Sequence, residues 1–180
     1  TQVGSSAASD VYKRQVITDF LDSNTWVSIQ NQLDAGNVEV ASHSRTHPHA
    51  PYENLESEVL GSKNDLIENL TLPLHNRNGS NQYIYVWIAP YGDYDENIDS
   101  MVSEGKYLIP RLFYEGEYGV SNWNNDMEKY DPVGASIELG GYYSWTGSYS
   151  AFELNMIFTD VLHHGGIYHL ISHPAILDWE

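Results

Sequence analysis

The sequence contains no cysteine, few basic residues and no long apolar run, and each absence argues against a class of protein. Without cysteine there is no disulfide framework. No apolar run approaches the length needed to span a bilayer. Eight lysines and arginines stand against 25 aspartates and glutamates, which gives a formal net charge of −17. Because this charge repels phosphate groups, nucleic acids and anionic membranes are disfavoured as partners, whereas neutral or cationic glycans remain admissible.

Length and composition predict a single folded domain. With 180 residues, of which 41% are hydrophobic, the chain can bury a substantial core. Residues 1–15 have no sustained apolar period and include a Gly-Ser-Ser-Ala-Ala-Ser stretch, so we expect them to be a non-native or disordered lead. The domain is then expected over residues 16–180, and no secretory signal is visible in the sequence.

Strand and helix patterns alternate through the rest of the chain. Runs of β-branched and aromatic residues predict strands, and apolar residues three or four apart predict helices. The expected strands are residues 16–20, 38–41, 83–88, 107–112 and 166–171, and the expected helices are residues 26–36, 55–70, 97–104 and 152–162. Strands that alternate with helices imply parallel βαβ units and therefore an α/β fold.

The most informative segment is residues 38–49, in which an apolar alternation ends in two histidines four residues apart. If the chain makes one helical turn after the strand, His43 and His47 lie on one face and both imidazoles can reach one ion. Imidazole suits borderline cations such as zinc. Pro48 disfavours helical geometry at His47 and should end the turn there. The alternative is that both are surface histidines in a polar loop.

Three motifs, in order, resemble those of the polysaccharide deacetylases, which are the NodB-homology proteins of the carbohydrate esterase family 4 type. The Ser-His-Ser-x-x-His-Pro segment that contains His43 and His47 is similar to the family's metal-binding motif. Residues 89–92 (Ala-Pro-Tyr-Gly) resemble its substrate-groove motif, and residues 170–174 (Leu-Ile-Ser-His-Pro) its late histidine motif. The resemblance covers about residues 16–180. It implies a distorted (β/α) barrel that is incomplete because the first strand is missing.

The resemblance also implies a site for hydrolysis of an acetyl group. His43 and His47 would bind a divalent metal ion, for which zinc is expected, and His173 would be the catalytic acid that protonates the leaving group. The backbone N–H of Tyr91 would help to hold the oxyanion. The implied substrate-binding residues are Pro90, Tyr91, Trp87 and Trp145, with Trp123 as a further candidate for the rim.

The sequence departs from the family pattern in two places. The Thr-Phe-Asp-Asp-Gly motif, which in the family supplies the third metal ligand and the catalytic base, does not occur here. Asp19 is the one acidic residue on the expected strand at residues 16–20, and it is too close to the histidines to replace that motif. Ile88 stands where the family usually has an arginine that braces the base. We therefore expect this chain by itself to have little activity.

The leading hypothesis is a metal-dependent hydrolase that removes N- or O-linked acetyl groups from a polysaccharide or oligosaccharide. One alternative is a catalytically inactive carbohydrate-binding domain of the same fold, and another is an unrelated α/β domain whose histidines coincide by chance. The resemblance implies a bacterial protein at a secreted, periplasmic or cell-surface location, with an acetylated glycan as its partner. It indicates neither the sugar nor the oligomeric state.

Overall fold

The structure is a computed structural model, and it describes residues 12–36, 38–73, 83–115, 122–135, 137–139, 150–165, 168 and 170–172. The strands are β1 (Tyr12–Val16), β2 (Val38–Ser42), β3 (Val86–Ile88), β4 (Ile109–Glu115), β5 (Trp123–Asn124), β6 (Lys129–Tyr130), β7 (Val133–Ala135), β8 (Ile137–Leu139) and β9 (Leu170–Ser172). The α-helices are α1 (Ser23–Asp34), α2 (Ser62–Asn69), α3 (Glu96–Glu104) and α4 (Ala151–His164). A π-helical turn, Ser57–Gly61, leads directly into α2.

Five strands form one parallel sheet in the order β1-β2-β3-β4-β7. β5 pairs antiparallel with β6, and β8 pairs parallel with β9. The predicted α/β class, with helices between parallel strands, is therefore confirmed. Closure into a barrel, and the absence of a first strand, stay predictions.

The first strand lies four residues earlier than the sequence predicted. β1 pairs with β2 in a continuous register that runs from Tyr12 opposite Val38 to Val16 opposite Ser42. The predicted strand at residues 16–20 is wrong because the pairing stops with β2 at Ser42. Beyond that point Thr18 and Asp19 donate their backbone N–H groups to the loop after β2, and Thr18–Phe20 forms a 3-10 turn.

β1 also crosses the boundary that we predicted between residues 15 and 16. Among the described strands it lies at an edge of the five-stranded sheet. Residues 1–11 of the expected lead lie outside the described residues. The division into a lead and a domain stays a prediction.

The two faces of the sheet carry different clusters of buried side chains. The larger cluster joins the sheet to the helices and includes Val16, Ile29, Val40, Leu66, Trp87, Ile98, Val102 and Tyr107. The smaller cluster, on the opposite face, consists of Ala41, Val86 and Ile88, with Tyr85 and Ile109 packed against it. Because side chains alternate along a strand, the neighbours Val40 and Ala41 belong to different clusters. We call the side of the smaller cluster the inner face.

The helix starts have clear causes in the sequence. The side chain of Asp22 accepts the backbone N–H of Thr25 at the start of α1, and Asp95 caps α3 in the same way. Ser150 and Glu153 form a reciprocal capping box at the start of α4. None of the described helices is long and apolar enough to cross a membrane.

Candidate functional site

The two histidines of the motif lie side by side just beyond the end of β2. Their Nε2 atoms are 3.0 Å apart and their ring centroids 4.6 Å apart, so the two imidazoles lie on one side and close enough to reach one ion, as the spacing predicted. His43 is buried, and its Nδ1 lies 2.9 Å from the carbonyl oxygen of Ile88 at the end of β3. Since a carbonyl can only accept, this contact places a proton on Nδ1 of His43 and leaves the lone pair on Nε2.

This pair of nitrogens fits a metal ion in part. Metal-binding histidines commonly donate their second ring nitrogen to a carbonyl, as His43 does. Two nitrogens that each lie about 2.1 Å from one tetrahedral zinc are about 3.4 Å apart, close to the separation found here. The described residues contain no group of three or more His, Cys, Asp or Glu side chains that could hold a metal ion.

The loop that holds the pair is not the helical turn that the spacing predicted. Ser44 and His47 have φ angles of 66° and 59°, in the left-handed region that non-glycine residues rarely adopt. The backbone N–H of His47 donates to the hydroxyl of Ser44 at 2.9 Å and closes the turn. Each such residue costs on the order of 1–3 kcal/mol, and backbone strain of this kind clusters at functional sites. The rings meet as expected, but through a turn that the sequence pattern did not indicate.

A network of charged side chains, which the sequence pattern did not predict, holds this loop in place. Glu58 accepts the backbone N–H groups of Arg45 and Thr46 at 2.9 and 3.0 Å, and the hydroxyl of Thr46 at 2.8 Å. Arg45 donates to Asp65 from Nε at 2.7 Å and from Nη2 at 2.6 Å. The hydroxyl of Thr18 donates to the same carboxylate at 2.7 Å. A sequence signal did exist, because Glu58 and Asp65 are seven residues, or about two helical turns, apart and share one helix face.

The ion pair between Arg45 and Asp65 keeps both groups charged. The hydrogen bond to Asp65 is the main cause that raises the pKa of Arg45. Burial acts to raise the pKa of Asp65, but the hydrogen bonds from Arg45 and Thr18 outweigh it, and the pKa is lowered. The loop that carries the histidines is therefore held by a charged, two-bond contact over the neutral pH range.

Tyr91 lies against the histidine pair from the next strand. After β3, Pro90–Gly92 forms a 3-10 turn in which Tyr91 has a φ of 56°. Its ring meets His47 edge-on, with centroids 4.4 Å apart, and stacks on His49 at 3.6 Å. Nδ1 of His49 lies 2.9 Å from Oδ2 of Asp93. Tyr91 is 42% exposed and lies against His47, while its role in binding the substrate or the oxyanion stays a prediction.

His47 is held in the form that binds metals. Burial is the main cause that lowers the pKa of His47, and the nearby His49 lowers it further. A neutral imidazole offers a lone pair to a cation, whereas an imidazolium does not. The His47 ring is thus prepared to act as a ligand near neutral pH.

The structure corrects the prediction that was made for Trp87. Trp87 is fully buried and packs near Tyr107, with ring centroids 5.9 Å apart, so its predicted contact with substrate is wrong. The reason is its register, because Trp87 pairs with Ser42 and its side chain leaves the sheet on the helix-covered face. Trp123 is partly exposed and packs edge-on against Tyr130. Trp145 and His173 lie outside the described residues, and their roles stay predictions.

Two further positions bear on the departures from the family pattern. Asp19 is exposed in the 3-10 turn, where its backbone N–H donates to the carbonyl of Arg45, and it belongs to no metal-binding cluster of the described residues. Ile88, which stands where an arginine was expected, is buried. Its register partner on the neighbouring strand β4 is Arg111.

Solved structures resemble this architecture. A polysaccharide deacetylase from Bacillus cereus matches 73% of this chain with a TM-score of 0.55 and 20% sequence identity. A Bacillus anthracis protein assigned as a polysaccharide deacetylase matches 69% of it with a TM-score of 0.50 and 18% identity. Over the matched residues the chain has the polysaccharide deacetylase fold. It covers 40% and 37% of the lengths of those two proteins. No protein-family model and no curated protein matches the sequence.

Proposed function

We propose that this chain is the metal-binding part of a hydrolase that removes acetyl groups from a polysaccharide or oligosaccharide. The observation that carries the proposal is the pair of Nε2 atoms of His43 and His47, 3.0 Å apart beyond the end of a parallel strand. In α/β proteins this end of the strands is where active sites are built. The fold shared with polysaccharide deacetylases supports an acetylated glycan as the substrate.

Each residue of the site then has an assigned task. His43 and His47 would hold a divalent ion, which we propose to be zinc, and the carbonyl of Ile88 orients the His43 ring for it. A bound zinc ion lowers the pKa of its water to about 7 and polarises the acetyl carbonyl. The backbone N–H of Tyr91 would donate to the oxyanion, and His173 would protonate the departing amine or alkoxide.

In the family the third ligand and the base come from the Thr-Phe-Asp-Asp-Gly motif, which this sequence lacks. Two imidazoles alone bind an ion weakly and provide no base, so the chain by itself should have little activity. The carbohydrate-binding alternative is favoured by one observation, the stack of the partly exposed Tyr91 ring on His49. Aromatic rings of this kind offer an apolar face together with a polar edge, which suits contact with sugars.

The test is acetate release from acetylated chito- and xylo-oligosaccharides, in the presence of zinc, by the chain joined to a strand that carries the family's Thr-Phe-Asp-Asp-Gly motif, because the chain by itself should have little activity. His43→Ala and His47→Ala should abolish turnover, and His173→Ala should lower the rate about 10²-fold or more, the usual contribution of a positioned acid. His164→Ala is the matched control, because His164 is exposed at the end of α4 and contacts Asp160. Oligosaccharide binding without acetate release would favour the binding domain, and neither binding nor release would contradict both.

A further inference from the structure

The inner face of the sheet carries a basic side chain close to the histidine pair. Val86 and Ile88 on β3 pair with Ile109 and Arg111 on β4. Ile109 packs against the inner-face cluster, and Arg111 follows it by two residues, so the Arg111 side chain leaves the sheet on the same face. The carbonyl of Ile88 contacts His43, and the carbonyl of Arg111 accepts the backbone N–H of Ala89. Arg111 is therefore one strand away from the residue that orients His43.

Arg111 is a largely buried cation without a counter-ion among the described residues. Its Nε is buried and has no hydrogen-bond partner in the part of the chain that the structure describes. Burial alone lowers its pKa to about 10, with no acidic group acting against that effect in the described part of the chain. A guanidinium withdrawn from water is costly unless an anion and hydrogen bonds replace the lost hydration.

Arg45 shows how the same chain satisfies a guanidinium. Arg45 donates two hydrogen bonds to Asp65, and its pKa is raised rather than lowered. The planar fork of an arginine matches the two oxygens of a carboxylate. Arg111 has the same guanidinium group in a more buried position, and it has no carboxylate partner among the described residues.

We propose that Arg111 is an anion-binding residue of the inner face and that it binds a carboxylate beside the histidine pair. The formal charge of −17 disfavours multiply charged anions such as phosphorylated ligands, whereas a singly charged carboxylate suits one guanidinium. The carboxylate that we propose is a small free one such as acetate. The proposal needs neither metal binding nor turnover and so stands apart from the proposed function.

The experiment follows the arginine Nε–Hε signals in ¹H–¹⁵N spectra of the whole chain. The Arg111 signal is assigned by its loss in Arg111→Lys, and acetate is titrated against chloride at constant ionic strength. If a free carboxylate is the partner, the Arg111 signal shifts saturably while the Arg45 signal does not. Arg111→Met should then weaken acetate binding by about 10-fold or more, the value of one charge-assisted contact. Lys106→Met, which removes an exposed positive charge, should change it less than about 2-fold.

If acetate has no effect and the Arg111 signal moves only as the pH falls through the carboxylate range, from about 5 to about 3, the partner is a carboxyl side chain of the protein, and the proposed ligand site is overturned. A signal that responds neither to acetate nor to acid overturns it. An acetate response that is linear, or that is equal in Arg111→Met, indicates only non-specific ion effects and overturns it as well. The titration of the unmodified chain decides the matter even if a variant does not fold.

Discussion

Replacement of Glu58 by glutamine tests whether the charged network positions the loop that carries His43 and His47. Glu58 is 8% exposed and accepts three hydrogen bonds from Arg45 and Thr46, at 2.8 to 3.0 Å. A hydrogen bond to a charged group contributes about 1.5–3 kcal/mol, against about 0.5–1.5 kcal/mol for a neutral one. The loss of charge at three bonds therefore predicts that Glu58→Gln lowers the free energy of unfolding by about 3 kcal/mol. With a typical urea dependence, the unfolding midpoint should fall by about 1–2 M.

The same substitution should weaken zinc binding by about 10-fold, because outer contacts of a metal site commonly contribute 10- to 100-fold. Urea unfolding and calorimetric zinc titration at pH 7 measure the two effects. Glu56→Gln is the matched control, since Glu56 is exposed just before the same helical turn and should change stability by less than about 0.5 kcal/mol. If Glu58→Gln behaves like Glu56→Gln in both assays, the network does not position the loop.

Three further predictions concern the core. Burial lowers the pKa of Lys63 from 10.5 to about 8. Between these two pH values the folded chain therefore binds fewer protons than the unfolded chain. The free energy of unfolding should then rise with pH across that window, by at most about 3 kcal/mol. Urea midpoints at pH 7.5 and 10 should show this rise in the natural chain and not in Lys63→Met, and equal rises would contradict it. The Lys129 ammonium is buried 2.6 Å from Asp99, so Lys129→Ala should lower the free energy of unfolding by about 3–5 kcal/mol. Adding Asp99→Asn to that variant should recover part of the loss. If the effects of the two substitutions simply add, the two side chains are not coupled. Trp87→Phe should leave oligosaccharide affinity unchanged because the Trp87 ring lies in the core. A 10-fold loss of affinity, measured by calorimetry, would show that Trp87 does take part in substrate binding.

The histidine pair could be predicted because its signal is local. A spacing of four residues after a strand limits how far apart two side chains can lie, and this limit holds for more than one backbone path. The path itself could not be predicted. The left-handed conformations of Ser44 and His47 arise from the hydroxyl of Ser44 and the contacts of Glu58 with the loop, and neither residue type specifies a positive φ.

The errors at Trp87 and in β1 have a common origin in strand pairing. A run of apolar and aromatic residues identifies a strand, but only its register with the neighbours decides which side chains face the helices. Trp87 faces the helices because it pairs with Ser42. β1 begins at Tyr12, in a segment of polar and charged residues that no apolar pattern marks, because it pairs with β2 through its backbone. Long-range partners such as Asp65 for Arg45 are likewise set by the tertiary fold.

The central claim, that His43 and His47 form one metal site, is tested most directly by zinc titration of the metal-free protein in a calorimeter. We predict one zinc ion per chain. His43→Ala and His47→Ala should each weaken binding by more than about 100-fold, since the loss of a direct ligand exceeds the 10- to 100-fold effect of an outer contact. His164→Ala should bind zinc as the natural chain does. Zinc binding that is not saturable, or that is equal in all three variants, would contradict the claim.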